Sequence, residues 1–332
     1  MPCKDKERNP RLNAVGGQAV IEGVMMKHKD SYAITVRKED GSLVTESHKF
    51  KSLRKKNKFL NLPLVRGIMN FVEMMILSYG TLNKATDMLG LLEEEETKFE
   101  KWLKKRFGAS IVNFIMIIAV IFAVALAVGL FILLPTATGS FIDGLIGLGW
   151  ARSLIEGVIR VVILVLYLAL VSLVPDMKRV FQYHGAEHKS VFCYEAGKEL
   201  TVENVRQFKR YHPRCGTSFL FVLIIVSVAV SMFIPFTDTW LRTLSKLLIS
   251  PIIIGLGYEF LMYAGKHDNA LVRFLTAPGL WMQRITTKEP DDSMLEVAIT
   301  ALKAAMPEEF PAEVKIENEE ETTIQTPAES EG

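Results

Sequence analysis

Cysteine is scarce in this chain of 332 residues, with three in all, and histidine is hardly commoner, with six. Three cysteines exclude the disulfide framework that staples small secreted domains. The first hundred residues hold no apolar stretch ending in a small-residue cleavage site, and no Arg- and Ser-rich, acid-poor stretch. Neither a secretory signal nor a transit peptide is therefore expected. No internal repeat is visible. A dominant charge is lacking too: the formal net charge is +2, so only its local distribution is informative.

Apolar length, by contrast, is plentiful. Ser110 to Leu134 runs 25 residues without a charge. At about 1.5 Å per residue it exceeds the roughly 30 Å hydrocarbon core of a bilayer. Thr217 to Phe236 gives 20 uncharged residues, and Leu247 to Gly265 gives 19 with Glu259 as the one charge. Ser153 to Val174 carries Glu156 and Arg160 near its start, which an i, i+4 ion pair would explain. These stretches predict four membrane spans. Lys98, Lys101, Lys104, Lys105 and Arg106 precede the first, and eight Lys or Arg lie in residues 175–216. The connections 135–152 and 237–246 carry one and two. The positive-inside bias therefore places the N-terminal region, residues 175–216 and the C-terminal region in the cytoplasm.

The expected fold class is an α-helical polytopic membrane protein, with four transmembrane helices and a small α+β cytoplasmic part. Residues 1–109 form a cytoplasmic N-terminal region. In it Tyr32, Ile34 and Val36 alternate, Glu39 to Ser42 supply turn chemistry, and Leu43 to Phe50 return as a hairpin. Pro63 to Leu92 read as a long helix lying on the membrane or packed on the bundle, followed by an acidic run, Glu93 to Glu96. Residues 110–174 hold the first transmembrane pair, 175–216 a cytoplasmic His/Cys segment, and 217–265 the second pair. Residues 266–314 are cytoplasmic helices: Leu271 to Ile285 pack back on the membrane face, and a helix starts near Pro290 to Ser293. From 315 to 332 an acidic tail with almost no apolar content is expected to be disordered.

The 42 residues from Pro175 to Gly216 hold His184, Glu187, His188, Cys193, Glu195, His212 and Cys215. His184 to His188 reads H-x-x-E-H. On a helix these three side chains share one face, so two imidazoles one turn apart can grip one ion while the carboxylate beside them acts as a general base. His212-Pro213-Arg214-Cys215 reads H-x-x-C, which adds borderline and soft ligands of the kind zinc takes. His184, His188, His212 and Cys215 are the candidate metal ligands, and Glu187 the candidate catalytic residue. A closed site of His188, Cys193, His212 and Cys215 would instead staple the loop and do no chemistry. Ordinary packing and hydrogen bonding is the third reading of these groups.

Glu259 lies about two turns before Lys266. Either it pairs with a base near the interface, or it joins the His/Cys segment as a further metal or proton-handling group, together with His267 and Asp268. Gly16-Gly17-Gln18 matches the tripeptide of translation release factors, but it stands before a short hairpin with no large nucleic-acid-binding domain. No nucleic-acid partner is expected. The basic stretch Lys49 to Lys58 suits anionic lipid head groups, at about 1 kcal/mol per residue near the surface, or is a solvated loop.

The run Gly16 to Met26, the stretch Tyr183 to Lys189 and the stretch His212 to Phe219 resemble the YqhQ-like bacterial membrane proteins. Pro278-Gly279-Leu280-Trp281 and Thr286 to Asp292 are similar as well. The likeness extends over about residues 12–305. It implies a bacterial cell-membrane protein of a family whose function is undefined and which is often described as a predicted metal-dependent enzyme. That description rests on the same His, Glu and Cys residues.

The expectation is a multi-pass protein of the cell membrane, both termini cytoplasmic, with a divalent transition metal, zinc, as cofactor. One function is a metal-dependent hydrolase of a membrane-proximal peptide or lipid. The alternative is a non-enzymatic scaffold, assembly factor or transport component with a structural metal, for which a homo-oligomer would supply the path that four spans are few to form.

Overall fold

A computed structural model describes residues 11–12, 14–55, 57–91, 110–267 and 269–311. The leader, the acidic run 93–96, the basic cluster 98–106, Asp268 and the acidic tail lie outside the described residues.

Four strands, β1 (Val15–Val20), β2 (Gly23–His28), β3 (Ser31–Arg37) and β4 (Leu43–Lys49), form an antiparallel meander in that order. The expected hairpin is β3–β4, closed at Gly41 with φ +84. The first two strands are additional. They escape a turn-based reading because their connection, Ile21-Glu22, has neither Gly nor Asn, although Glu22 sits at φ +47. Side chains alternate between two cores. Val24, Met26 and Ala33 face one; Met25, Tyr32, Ile34 and Val36 face the other.

A helix covers each face. On the second face lies α1 (Val65–Met88), through Leu77, Ala85 and Met88. Its Glu73 is buried and accepts from the amides of Leu53 (2.7 Å) and Arg54 (3.4 Å) and from Ser52 Oγ. That carboxylate holds the basic loop against the helix. On the first face lie α5 (Pro175–Glu195) and α10 (Asp292–Ala304). The Asp291 carboxylate caps α10, accepting from the Met294 amide at 2.9 Å. Met294, Leu295, Ala298 and Leu302 are fully buried there, and burying each leucine contributes about 1.5–3 kcal/mol.

Three helices are long and apolar enough to cross a membrane: Ile117–Ile146, Gly149–Val171 and Thr239–Gly265. The first comprises α2 (Ser110–Val128), a π-helical turn (Gly129–Leu133) and α3 (Leu134–Ile146). Residues 135–146, expected in a connection, thus continue the helix. Pro135 is tolerated because the carbonyl four residues before it, Phe131 O, accepts instead from Arg160 Nε at 2.9 Å.

The second is chiefly α4 (Arg152–Val171) and the third α8 (Thr239–Lys266). The fourth expected span is shorter than its apolar stretch. α7 covers Gly216–Ser231, about 24 Å at 1.5 Å per residue. It stops where the carbonyls of Ser231, Ile234 and Phe236 turn to Arg242, and that of Thr237 to Arg152. A short α6 (Val202–Arg206) follows α5, and α9 (Ala270–Thr286) packs on α7.

Glu259 belongs to an ion pair. Arg66 at the start of α1 grips it with Nε (2.6 Å) and Nη2, which ties α1 to α8 and accounts for a carboxylate at that depth. The Glu156–Arg160 pair is not formed. Glu156 accepts from Arg152 Nε (3.1 Å), Arg242 Nε (3.0 Å) and Lys246 Nζ (2.5 Å). A carboxylate buried among helices takes the nearest donors on a neighbouring helix as well as those on its own.

Candidate metal centre

The centre is built on α5. Pro175 opens that helix at a position where a missing amide hydrogen costs nothing, and Asp176 stands in the first turn. His184 and His188 are one turn apart, their ring centroids separated by 4.4 Å. Each ring has its Nδ1 against a backbone carbonyl: His184 on Thr286 O at 2.8 Å, His188 on Arg210 O at 2.5 Å. A carbonyl only accepts, so each Nδ1 carries the hydrogen and each Nε2 is left bare in the neutral ring. The two bare nitrogens face one space.

Cys215 completes it. The His184 Nε2 to Cys215 Sγ distance is 3.1 Å, and the ligand atoms of His184, His188 and Cys215 all lie within 4.8 Å of one another. Cys215 is the N-cap of α7, its sulfur accepting from the Thr217 amide at 3.5 Å. A negative charge on the sulfur would face the positive end of that helix. Glu187 Oε2 stands 3.6 Å from His188 Nε2 and 3.9 Å from His184 Nε2. Burial pushes the Glu187 carboxyl up to about 7, against a smaller downward pull from His184.

Two glycines let the backbones close around these groups. A Cβ on Gly185 would lie 2.1 Å from Lys288 O, so only glycine lets α5 approach the strand of chain that carries the Thr286 carbonyl. A Cβ on Gly17 would lie 2.7 Å from Glu187 Cγ and 2.9 Å from Met25 O. The Gly-Gly-Gln strand β1 is thus a wall against the carboxylate, and Gln18 turns away to α1, its Nε2 donating to the carbonyl of Ser78 at 3.3 Å.

His212 stands beside the group of three. Its ring is 5.6 Å from that of His188 and 4.5 Å from that of Phe192, centroid to centroid. Its Nε2 lies 3.3 Å from Arg214 Nη2 and 3.7 Å from Glu195. Burial, helped by Arg214 and His188, holds the ring down at about 4, with Glu195 opposing. Cys193 points elsewhere: its thiol donates to Glu199 O at 3.5 Å inside the core between the sheet, α5 and α10, and burial raises it. Among the described residues the closed set of His188, Cys193, His212 and Cys215 is therefore not assembled.

Several contributors have no ligand-type signal in the sequence. The carbonyls of Thr286 and Arg210 act through backbone alone. Gln283 clamps the His212 backbone from both sides, accepting from its amide and donating to its carbonyl, each at 2.7 Å, and also donates to Ser218 Oγ at 3.0 Å. Glu289 receives Lys189 and, at 2.7 Å, Arg210. The stretch Thr286 to Asp292 thus fastens α5 and the 206–214 loop together.

The family model described as "Protein of unknown function (DUF1385)" matches residues 62–308, a range that takes in His184, Glu187, His188, His212 and Cys215. The chain is also 37% identical over 291 residues to "Uncharacterized protein YqhQ" of Bacillus subtilis (strain 168), covering 86% of this chain and 90% of that protein. No solved structure matches. The chain belongs to the YqhQ-like family described by DUF1385.

Proposed function

We propose that this protein is a metal-dependent membrane enzyme, a hydrolase acting on a membrane-proximal peptide or lipid. The observation that carries the reading is the convergence of two bare Nε2 atoms and one thiol, both rings pinned from behind by carbonyls. The one thiol proton lies on His184 Nε2 at 3.1 Å and leaves His188 Nε2 without a donor, and a cation replacing that proton would engage all three atoms. The mixed nitrogen and sulfur donors fit zinc, with His184, His188 and Cys215 as ligands. Zinc would supply Lewis acidity and an open fourth position.

Glu187 takes the proton from water: it is buried, forms no hydrogen bond among the described residues, and sits beside both nitrogens. His212, Glu195 and Arg214 form the neighbouring wall. Cys215 begins an apolar helix, so the centre stands at the end of that helix, which favours a substrate held at a membrane face.

The same reading has four spans and both termini in the cytoplasm. The unwound residues after α7 are covered by Arg152 and Arg242, the condition under which non-helical backbone is tolerated at membrane depth. Phe59 and Leu62 are exposed beside Lys58, a basic and aromatic tip suited to anionic head groups.

Elemental analysis of the purified full chain tests the centre. About one zinc per chain is expected for the wild type, less than a tenth of that for His188→Ala, and full retention for Glu187→Gln with loss of hydrolysis. Equal zinc in the wild type and His188→Ala would refute it. One contact favours a second reading, a Cys215–His184 nucleophilic pair at 3.1 Å. Metal-free wild type whose Cys215 alkylates rapidly, and more slowly in His184→Ala, would support that pair.

A further inference from the structure

The apolar helices hold a second polar centre, built from residues that flank the first in sequence. On α4, Arg152, Glu156 and Arg160 recur every four residues and line one face; on α8, Arg242 and Lys246 do the same. Arg152, Glu156, Arg242 and Lys246 are buried. Both oxygens of Glu156 are consumed by the three cations around it. Arg242 is further bound by Ser153 Oγ (2.7 Å) and the carbonyls of Ser231, Ile234 and Phe236; Lys246 donates to Thr136 Oγ1 at 2.8 Å.

Arg160, a turn beyond Glu156, differs. Nε donates to Phe131 O (2.9 Å) and Nη1 to Ser227 Oγ (2.7 Å). Both partners are neutral. Among the described residues no carboxylate pairs with Arg160, and Nη2 meets no acceptor. The side chain is half-buried, yet it projects from the inward face of α4, one turn from buried Glu156 and from buried Leu164. Its remaining N–H groups therefore lie half-exposed between α4, α7 and the π-helical turn.

The charges do not balance. Four cations, Arg152, Arg160, Arg242 and Lys246, meet one buried carboxylate. Two acids stand at the rim: Asp143, 3.8 Å from Arg152, and Asp238, exposed and capping α8 through the amides of Trp240 and Leu241. Counting both still leaves one cation over. An unmatched charge at membrane depth is costly and calls for a counter-ion. A guanidinium edge with free N–H groups binds phosphate oxygens in a forked geometry.

We infer that the free edge of Arg160, between α4, α7 and the π-helical turn, is a binding site for a phosphate-bearing anion. Its test uses the full chain in detergent, comparing wild type, Arg160→Gln and Arg160→Lys. Phosphorus per chain and native mass spectrometry read tightly held phospholipid; labelled inorganic phosphate, added to delipidated protein, reads the free ion. About one phosphate per chain is expected for the wild type, at least tenfold weaker retention in Arg160→Gln, and an intermediate value in Arg160→Lys, which keeps the charge and loses the fork. Retention as phospholipid identifies a head group as the ligand. Binding of labelled phosphate alone, lost in Arg160→Gln, identifies the free ion. Equal retention in wild type and Arg160→Lys, or no phosphate of either kind on the wild type, overturns the inference. Should Arg160→Gln not fold, the lysine variant decides.

Discussion

The polar groups around Glu156 and those around His188 are both buried, and they are opposites in kind. At Glu156, donors predominate and nearly every one has an acceptor: carboxylate, hydroxyl or the carbonyls after Ser231. At His188, acceptors predominate: both ring N–H groups point backward at carbonyls, and the Cys215 thiol reaches only one of the two bare nitrogens as a donor. A satisfied network rigidifies a fold, whereas converging unsatisfied groups of one kind await a partner of the other. The contrast teaches that burial of polar atoms does not itself mark a site; the sign of what is left over does. Arg160 is where the membrane network departs from satisfaction.

The first way to break this comparison is Glu156→Gln. Removing that carboxylate leaves Arg242 and Lys246 without a counter-charge among the described residues and Arg152 with only Asp143, at a cost of about 3–5 kcal/mol. Loss of the folded species on size exclusion in detergent is expected. Normal folding would mean that the membrane network is not a lock.

Acid should then weaken the part around α5 through His212. Its ring is held at about 4 in the fold, below the ordinary 6.5, so the unfolded chain takes up the proton first as pH falls. The contribution is complete above about pH 6.5 and is lost between there and pH 4, with a total of order 3 kcal/mol. Thermal melts of wild type and His212→Phe should converge toward pH 4. Parallel pH profiles would contradict the assignment.

Chelation sharpens the contrast next. If a cation occupies the His188 side, its removal should lower wild-type stability by about 3 kcal/mol at a hundredfold excess over its dissociation constant. His188→Ala should not respond to chelator, and the same melts measure both.

Gly185→Ala should have the smallest effect on stability, about 1–3 kcal/mol from forcing a Cβ against Lys288 O. It should also weaken metal retention by displacing the Thr286 carbonyl behind His184. Unchanged zinc content in a folded Gly185→Ala protein would show that the close approach does not position the ring.

Much of the molecule is legible in the chain. The 3.6-residue period alone places His184, Glu187 and His188 on one helical face, and Asp291 announces the start of α10. The β3–β4 hairpin follows from alternation and a turn at Gly41. Strands β1 and β2 are not legible, because their turn uses Glu22 at positive φ where glycine or asparagine is the usual signal. Residues 135–146 do not read as helix because Pro135 looks like a breaker until Arg160, from another helix, takes over the orphaned carbonyl.

Local periodicity and apolar length are properties of the sequence itself: they determined the mostly helical class, three helices long and apolar enough to cross a membrane, and the helical H-x-x-E-H face. Partner choice among buried charges was decided only by the tertiary structure. Glu156 chose Arg242 and Lys246 across helices over Arg160 on its own, Glu259 chose Arg66, and Cys215 rather than His212 came to stand against His184. The physical reason is common to all three. An ion pair or a ligand set depends on distances of a few ångströms between elements far apart in the chain, and side-chain spacing within one element carries no information about them.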